Sequence, residues 1–366
     1  MEIGCDSCQL YRLSDATRLT SSRTSLGPWL GADCKAYVSY RLEDYTLPQL
    51  DFSVAYEDVP YQCKHDYGVP KNLRRGLEKT IQQAIDAGQL VEIPYSDDIT
   101  ISPAFGKAKG RVDDENVPVV RLLCDLRVLN QRVHLPSGLA EMCPSLDSFL
   151  GALPSGSRAY SVLDLSDAYH SVQCSAHASQ HLCIKVLGRI FQFRVSPQGL
   201  AASALFFTPH LSAGLNHLFG DAWHHWLVSW IDDLLIHGSS ISQVRSRDRI
   251  VRAGLTGMRK VISPKSLPPS EEVDCVGIHF DRGFYRLSDS SVAKLKSVLQ
   301  TPPTSARGLK QTIGVLLYSA CAFSWPVDSS PDRFPWTREC DAALEKLSEG
   351  LLNTPLKQLS YGDLLR

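Results

Sequence analysis

The chain has 366 residues, 43% of them apolar, with 38 basic and 39 acidic side chains and a formal net charge of −1. That length exceeds one small core, so two or three subdomains are expected. The near-zero charge excludes a protein that meets nucleic acid through a global basic field, and leaves any such contact to local patches.

No apolar run reaches membrane length and no secretory leader is apparent, so no membrane association and an intracellular location are expected. The eleven scattered cysteines then read as reduced thiols. Residues 1–44 are Ser/Thr-rich without periodicity and read as a poorly defined N-terminal tail. Cys5 and Cys8 lack a second ligand pair at zinc spacing, which argues against a metal knuckle.

Pro70 opens a helix on which Leu73, Leu77, Ile81 and Ile85 recur every four residues, with Gly88 placed to end it. A short strand follows at 90–94. Lys107 and Lys109 bracket Ala108 on a hairpin that returns through Arg121, with the acidic insertion Asp113-Asp114-Glu115 between. These cations are either phosphate ligands or the ordinary charge of an exposed hairpin.

A short helix over 146–153 and a Pro-Ser-Gly turn deliver the chain into an apolar strand that ends at Asp164, where Ser166 and Asp167 start a short helix. Residues 184–186 and 191–195 alternate around Gly188 as a hairpin. A helix over 200–219 is rich in small residues at its start, with Pro209 as a kink.

Residues 225–238 are apolar and aromatic on both sides of Asp232-Asp233, which places that pair in a hairpin turn. Aspartate favours turns for local reasons. A carboxylate among apolar residues nonetheless costs free energy unless a cation or donor compensates it. A helix over 242–261 follows. Arg245, Arg247, Arg249, Arg252, Arg259, Lys260 and Lys265 form either a basic patch or a solvated helix face. Residues 273–280 and 283–287 read as the two strands of a further hairpin. Ser288 or Asp289 caps a helix over 292–299 and Thr304 caps another over 309–318.

Asp164 at a strand end and Asp232-Asp233 at a turn can converge on one edge of a sheet. Three such oxygen donors suit Mg²⁺ or Mn²⁺ rather than zinc. Two ions about 3.5–4 Å apart would clamp the attacking and leaving oxygens of an in-line phosphoryl displacement.

Four blocks together carry a resemblance. They are Arg121-Leu-Leu-Cys-Asp125-Leu-Arg127-Val-Leu-Asn130, Leu163-Asp164-Leu-Ser-Asp-Ala-Tyr169, Ser196-Pro-Gln198-Gly-Leu200 and Trp230-Ile-Asp232-Asp233. In this order and spacing they resemble the reverse transcriptases of long-terminal-repeat retrotransposons and retroviruses, over roughly residues 45–355. The resemblance implies an α+β right-hand polymerase with fingers, palm and thumb, its antiparallel palm sheet backed by helices. It implies fingers and the lead-in to the palm over 45–158 and a palm over 159–285 that holds an inserted fingers hairpin at about 175–197. A thumb over 286–322 and the start of a connection over 323–366, with a helix over 336–347 and no ribonuclease H domain, complete the expectation.

By that likeness Asp164, Asp232 and Asp233 are catalytic and, with the Leu165 carbonyl, ligate two Mg²⁺ or Mn²⁺ ions. Lys107 or Lys109, Arg121, Tyr169, Gln198 and Lys265 bind the deoxynucleoside triphosphate. Tyr169 lies under its sugar, and Lys265 protonates the departing pyrophosphate. Trp230, Gly277 and Ile278 contact primer or template. Trp230 stands where the family usually has tyrosine. The implied partners are an RNA or DNA template with primer and dNTPs, within a larger polyprotein. Two readings compete: a degenerate retroelement remnant that binds without catalysis, and an RNA-dependent RNA polymerase, which would more usually carry Gly before the Asp pair.

Overall fold

The computed structural model describes residues 42–324 apart from positions 44, 56–58, 64–66, 136–143, 155 and 301–304. In chain order the first elements are β1 (Ser53–Val54), α1 (Lys71–Asp86), β2 (Leu90–Glu92), β3 (Ile101–Val112) and β4 (Pro118–Cys124). There follow α2 (Arg127–Asn130), β5 (Val133–His134), α3 (Leu146–Gly151) and β6 (Ala159–Ser166). After a 3-10 turn at Ala168–Ser171 come α4 (Ala176–His181), β7 (Cys183–Val186), β8 (Arg189–Phe193) and α5 (Ala201–Phe219). Then come β9 (Leu227–Trp230), β10 (Asp233–Gly238), α6 (Ile241–Gly257), β11 (Val261–Ile262) and β12 (Leu267–Ser270). A meander of β13 (Glu272–Cys275), β14 (Ile278–Asp281) and β15 (Phe284–Leu287) leads to α7 (Asp289–Gln300) and α8 (Ala306–Ser324). The architecture is α+β.

The chain divides into two compact units. The first comprises Met1–Cys143, Leu165–Trp223 and Ile250–Ser263. Its main sheet has the order β2-β8-β7-β3-β4, antiparallel except where β3 runs parallel to β7. Leu77 and Ile81 are buried on α1, as their four-residue spacing requires. α1 approaches β4 closely because Gly76 has no side chain and the Thr80 hydroxyl donates to the Val120 carbonyl at 2.9 Å. The β7–β8 turn has positive φ at both Leu187 and Gly188, the geometry of a two-residue hairpin.

The second unit comprises Pro144–Asp164, His224–Arg249 and Pro264–Arg366. Within it β9, β10, β6 and β12 pair antiparallel in that order. An apolar cluster contains Phe149 of α3, Val162 of β6, Leu235 of β10, Ile278 of β14, Leu295 of α7 and Leu316 of α8. Burial of this kind is the main stabilising term available to the unit.

Several expectations are corrected. The strand at Asp164 continues to Ser166, because Leu165 and Ser166 pair with Ile262 and Val261; the chain breaks only at Asp167, whose φ is +48°. α6 stops at Gly257 rather than at 261: Arg259 turns left-handed at φ +58°, and the β-branched Val261 and Ile262 join β6 instead. The run 273–280 is not one strand but two, reversed at Val276-Gly277, where both φ values are positive. α7 starts at Asp289, ahead of the expected 292, with the Ser288 hydroxyl accepting from the Ser291 amide. α8 runs beyond 318 to Ser324, and Ser305 accepts from the Gly308 amide at its start. The expected Thr304 cap, the tail before residue 42 and the helix at 336–347 lie outside the described residues. Among the described residues no helix is long and apolar enough to cross a membrane.

Candidate active site

Three carboxylates meet at one end of β6 and β10. In the antiparallel register Asp164 lies directly opposite Asp233. Asp233 also pairs with Trp230 of β9, which leaves Ile231 and Asp232 as a two-residue turn. Ile231 sits at φ +55°, a left-handed conformation unusual for a β-branched residue, and the turn holds Asp232 beside the opposed pair. The Ser266 hydroxyl donates back to the Asp164 carbonyl, and the Asp164 amide donates to that hydroxyl at 3.1 Å.

Burial, then Asp232 and Asp164, push the Asp233 carboxyl up to about 6. Burial first, with Asp164 adding to it, raises Asp232 as well. Among the described residues no basic side chain offsets either shift. The structure therefore gathers negative charge in a half-buried place, where a divalent cation would relieve it. Among the described residues, no three His, Cys, Asp or Glu side chains are arranged to hold an ion by themselves. Mg²⁺ does not need such a cage: it usually takes one or two carboxylates, waters and substrate phosphates. The all-oxygen donor set fits Mg²⁺ or Mn²⁺ on those terms.

The raised Asp233 fixes the sign of a pH effect. A folded-state pKa above the unfolded value means that the folded protein binds more protons in the window between them. The contribution of Asp233 to stability therefore falls as pH rises from about 4 through about 6. Without divalent ions, Asp233→Asn is expected to raise the thermal midpoint at about pH 7.5 and to leave it unchanged at about pH 4, checked by calorimetry in EDTA.

Trp230 is half-buried, its indole edge-on to Phe149 with ring centroids 6.0 Å apart. The bulkier ring is thus anchored on the apolar cluster. Lys265 is exposed, next to Ser266. Ile278 is fully buried, so only its backbone can meet a primer. Gly277 has φ +73°, and a Cβ there would stand 2.6 Å from the Ser291 hydroxyl and 3.1 Å from that of Tyr318. The close approach that this glycine permits is to α7 and α8; the Tyr318 hydroxyl donates to the Val276 carbonyl and that of Ser291 to the Gly277 carbonyl.

In the first unit, Lys107 lies directly opposite Arg121 across β3 and β4. Lys109 falls two residues on, where the register slips between Ala108 and Val112. All three are exposed. Like charges directly opposite are destabilising, and an anion bound between them would reverse that cost. The acidic insertion does not do so: Asp113 pairs with Lys79 at 2.7 Å, and Glu115 with Lys79 at 3.0 Å and Arg75 at 3.1 Å. Asp113 also fastens its own turn by accepting from the Glu115 and Val117 amides. Tyr169 is half-buried in the 3-10 turn, its ring edge-on to Phe207 with centroids 6.0 Å apart.

Gln198 stands in a turn framed by Asn130. Asn130 donates from Nδ2 to the Gly199 carbonyl and accepts on Oδ1 from the Ala201 amide, both at 2.9 Å. It thereby caps α5, whose own cap residue Leu200 makes no side-chain bond. The preceding Arg127 forms a two-pronged pair with Asp125, which also accepts from the Tyr67 hydroxyl and is held well below the usual carboxylate range, chiefly by Arg127. Asn130→Ala is expected to lower stability by about 1–2 kcal/mol, read from urea unfolding, because both bonds to the Pro-Gln-Gly turn go at once.

The basic patch is not one surface. Arg247 donates to the His237 carbonyl at 2.6 Å and lies over Trp226. Lys260 is only 4% exposed and bonds inside the first unit. The alternation of Arg with other residues gave no sign of which cations turn inward.

Two carboxylates are thus opposed across neighbouring antiparallel strands, with a third in the adjoining turn. Residues 115–265 match the family model for reverse transcriptase (RNA-dependent DNA polymerase). The chain is 22% identical over 320 residues to the Transposon Tf2-3 polyprotein of Schizosaccharomyces pombe, covering 84% of this chain and 22% of that protein. It is 24% identical over 308 residues to the Gag-Pol polyprotein of woolly monkey sarcoma virus, covering 79% of this chain and 17% of the other. It thus spans about a fifth of the length of these relatives. Among solved structures it is similar to foamy viral protease-reverse transcriptase in complex with RNA/DNA hybrid, with a TM-score of 0.57 at 15% identity over 94% of this chain and 47% of that one. A second match, to the dRH form of that protein in complex with double-stranded DNA, has a TM-score of 0.55 at 16% identity, over 94% and 60%. These matches show the polymerase fold.

Proposed function

We propose that this chain is an RNA-directed DNA polymerase of a retroelement, adding deoxynucleotides to a primer 3′-hydroxyl on an RNA or DNA template. The observation that carries the reading is Asp164 opposed to Asp233 with Asp232 in the adjoining turn. The relatives support it: the curated ones are a transposon polyprotein and a Gag-Pol polyprotein, and the solved ones are titled as complexes with RNA/DNA hybrid and double-stranded DNA. By the same likeness the chain belongs to a larger intracellular polyprotein, with fingers over 45–158, palm over 159–285, thumb over 286–322 and a connection from 323.

Two Mg²⁺ or Mn²⁺ ions, when bound, supply charge neutralisation at the transferring phosphate and acidify the primer hydroxyl. Asp164 and Asp232 would hold them, with Asp233 in support and the Leu165 carbonyl completing a site. Arg121 and Lys107 or Lys109 bind the triphosphate, and Tyr169 excludes a 2′-hydroxyl. Gln198 backs the template base, and Trp230 touches the primer-terminal pair. The backbone at Gly277 and Ile278 steadies the primer, and Lys265 gives a proton to pyrophosphate. Arg121→Ala is expected to raise KM for dNTP about tenfold with kcat nearly kept, because a charge-assisted phosphate contact is lost before chemistry begins. Single-nucleotide kinetics check it.

The test of the function is extension of an oligo(dT) primer on poly(rA) with dTTP and Mg²⁺ or Mn²⁺. Extension is the expected result. Tight primer–template binding without extension would favour the non-catalytic binding module.

A further inference from the structure

We propose that Lys260 is a positioning residue for nucleotide selection: its buried amine pins the turn that carries Tyr169. The inference rests on the function proposed above and on the role given there to Tyr169.

Lys260 is 4% exposed, and Nζ lies 2.6 Å from His210 Nε2, 2.7 Å from Ser171 Oγ and 3.2 Å from the Ser171 carbonyl. All three partners are acceptors. The His210 Nδ1 atom is 2.7 Å from the Pro48 carbonyl, which can only accept, so Nδ1 carries the ring proton and Nε2 a lone pair. Burial and the neighbouring Lys260 draw His210 down to about 4, which keeps the ring neutral. The Ser171 hydroxyl donates its proton to the Ala168 carbonyl at 2.5 Å, so toward Lys260 it also accepts. Burial draws the Lys260 amine down to about 7, but three acceptors call for three N–H donors, and of its two forms only the ammonium supplies that number.

A buried ammonium bonded to no carboxylate among the described residues is a costly way to fill a core. An apolar side chain would stabilise the unit more cheaply, so the position serves the groups it bonds. Those groups surround Tyr169. Ser171 closes the 3-10 turn in which Tyr169 is the second residue, and that turn begins at the left-handed Asp167. The Tyr169 ring rests edge-on against Phe207, and Lys260 Nζ stands 5.7 Å from the centroid of the same ring. Lys260 therefore fixes both the backbone after Tyr169 and the surface on which its ring lies. A displacement on the order of 1 Å at such a position is enough to change kinetics by about 10²-fold.

The test is the ratio of kcat/KM for a dNTP to that for the matching rNTP. It uses the single change Lys260→Met and the double change Lys260→Met with His210→Met. Replacing both polar partners with apolar groups tends to preserve or raise stability, so the double variant separates positioning from folding. A folded variant is expected to lose about tenfold in the ratio and to raise KM for dNTP several-fold, with kcat nearly kept. A folded variant with an unchanged ratio overturns the inference. If neither variant folds, Ser171→Ala decides in the same way, since it removes one of the three bonds. Tyr169→Ala runs beside them. A ratio unchanged in Tyr169→Ala means that the role of Tyr169 is wrong and takes this inference with it. A ratio that falls in Tyr169→Ala but not in the Lys260 variants removes Lys260 alone.

Discussion

Asp164→Asn and Asp232→Asn are each expected to cut primer extension by about 10³-fold or more, equivalent to about 4 kcal/mol of transition-state stabilisation. The change keeps the side chain's shape, so β6 and β10 keep their register and primer–template binding is expected to persist. What goes is one anionic oxygen donor beside the transferring phosphate. Asp233→Asn is expected to cost about tenfold, because the proposed function gives Asp233 only a supporting role in ion binding, and burial with the neighbouring Asp232 and Asp164 disfavours its charge. Single-turnover incorporation measures all three variants on one scale. Equal, small losses for all three would mean that the carboxylates serve the turn and not the chemistry.

Gly76→Ala is expected to lower stability by about 1–3 kcal/mol, against the gain of about 1 kcal/mol that alanine normally brings to a helix interior. A Cβ built at Gly76 would stand 2.0 Å from the Pro118 carbonyl oxygen and 2.8 Å from Val120 Cγ2. The carbonyl is backbone at the start of β4 and cannot rotate away, so α1 must lift from the sheet. Lifting it also stretches the Thr80 bond to Val120, next to Arg121. KM for dNTP is therefore expected to rise with the loss of stability. A urea midpoint above that of the unchanged protein would contradict this packing.

Much of the site was legible in the sequence because its signals are local. An acidic pair between apolar strands signals a turn, but the two turn residues are Ile231 and Asp232 rather than the expected Asp232-Asp233, and Asp233 lies in β10 opposite Trp230. Leu77 and Ile81 announced the buried face of α1 by their spacing. What was not legible depends on partners distant in the chain. Gly277 signalled a close backbone approach, yet the groups crowding it come from α7 and α8. Lys260 looked like one more cation in a basic run, because nothing local to it shows that His210 and Ser171 lie within reach. The meander was hidden because Cys275, Val276 and Ile278 read as one apolar run across Gly277, although the alternation changes phase there, where the chain reverses. Asn130 stood in a recognised block, but its work is done 69 residues away on the Gly199 carbonyl.

The most direct test assembles the protein with an RNA template, a primer and the next dNTP in EDTA, and then adds excess Mg²⁺ rapidly. The account predicts a single-nucleotide burst that follows the ion, absent in Asp232→Asn although the complex still forms. A complex that forms and gives no burst on Mg²⁺ or Mn²⁺ would contradict it. So would a burst of equal size from Asp232→Asn.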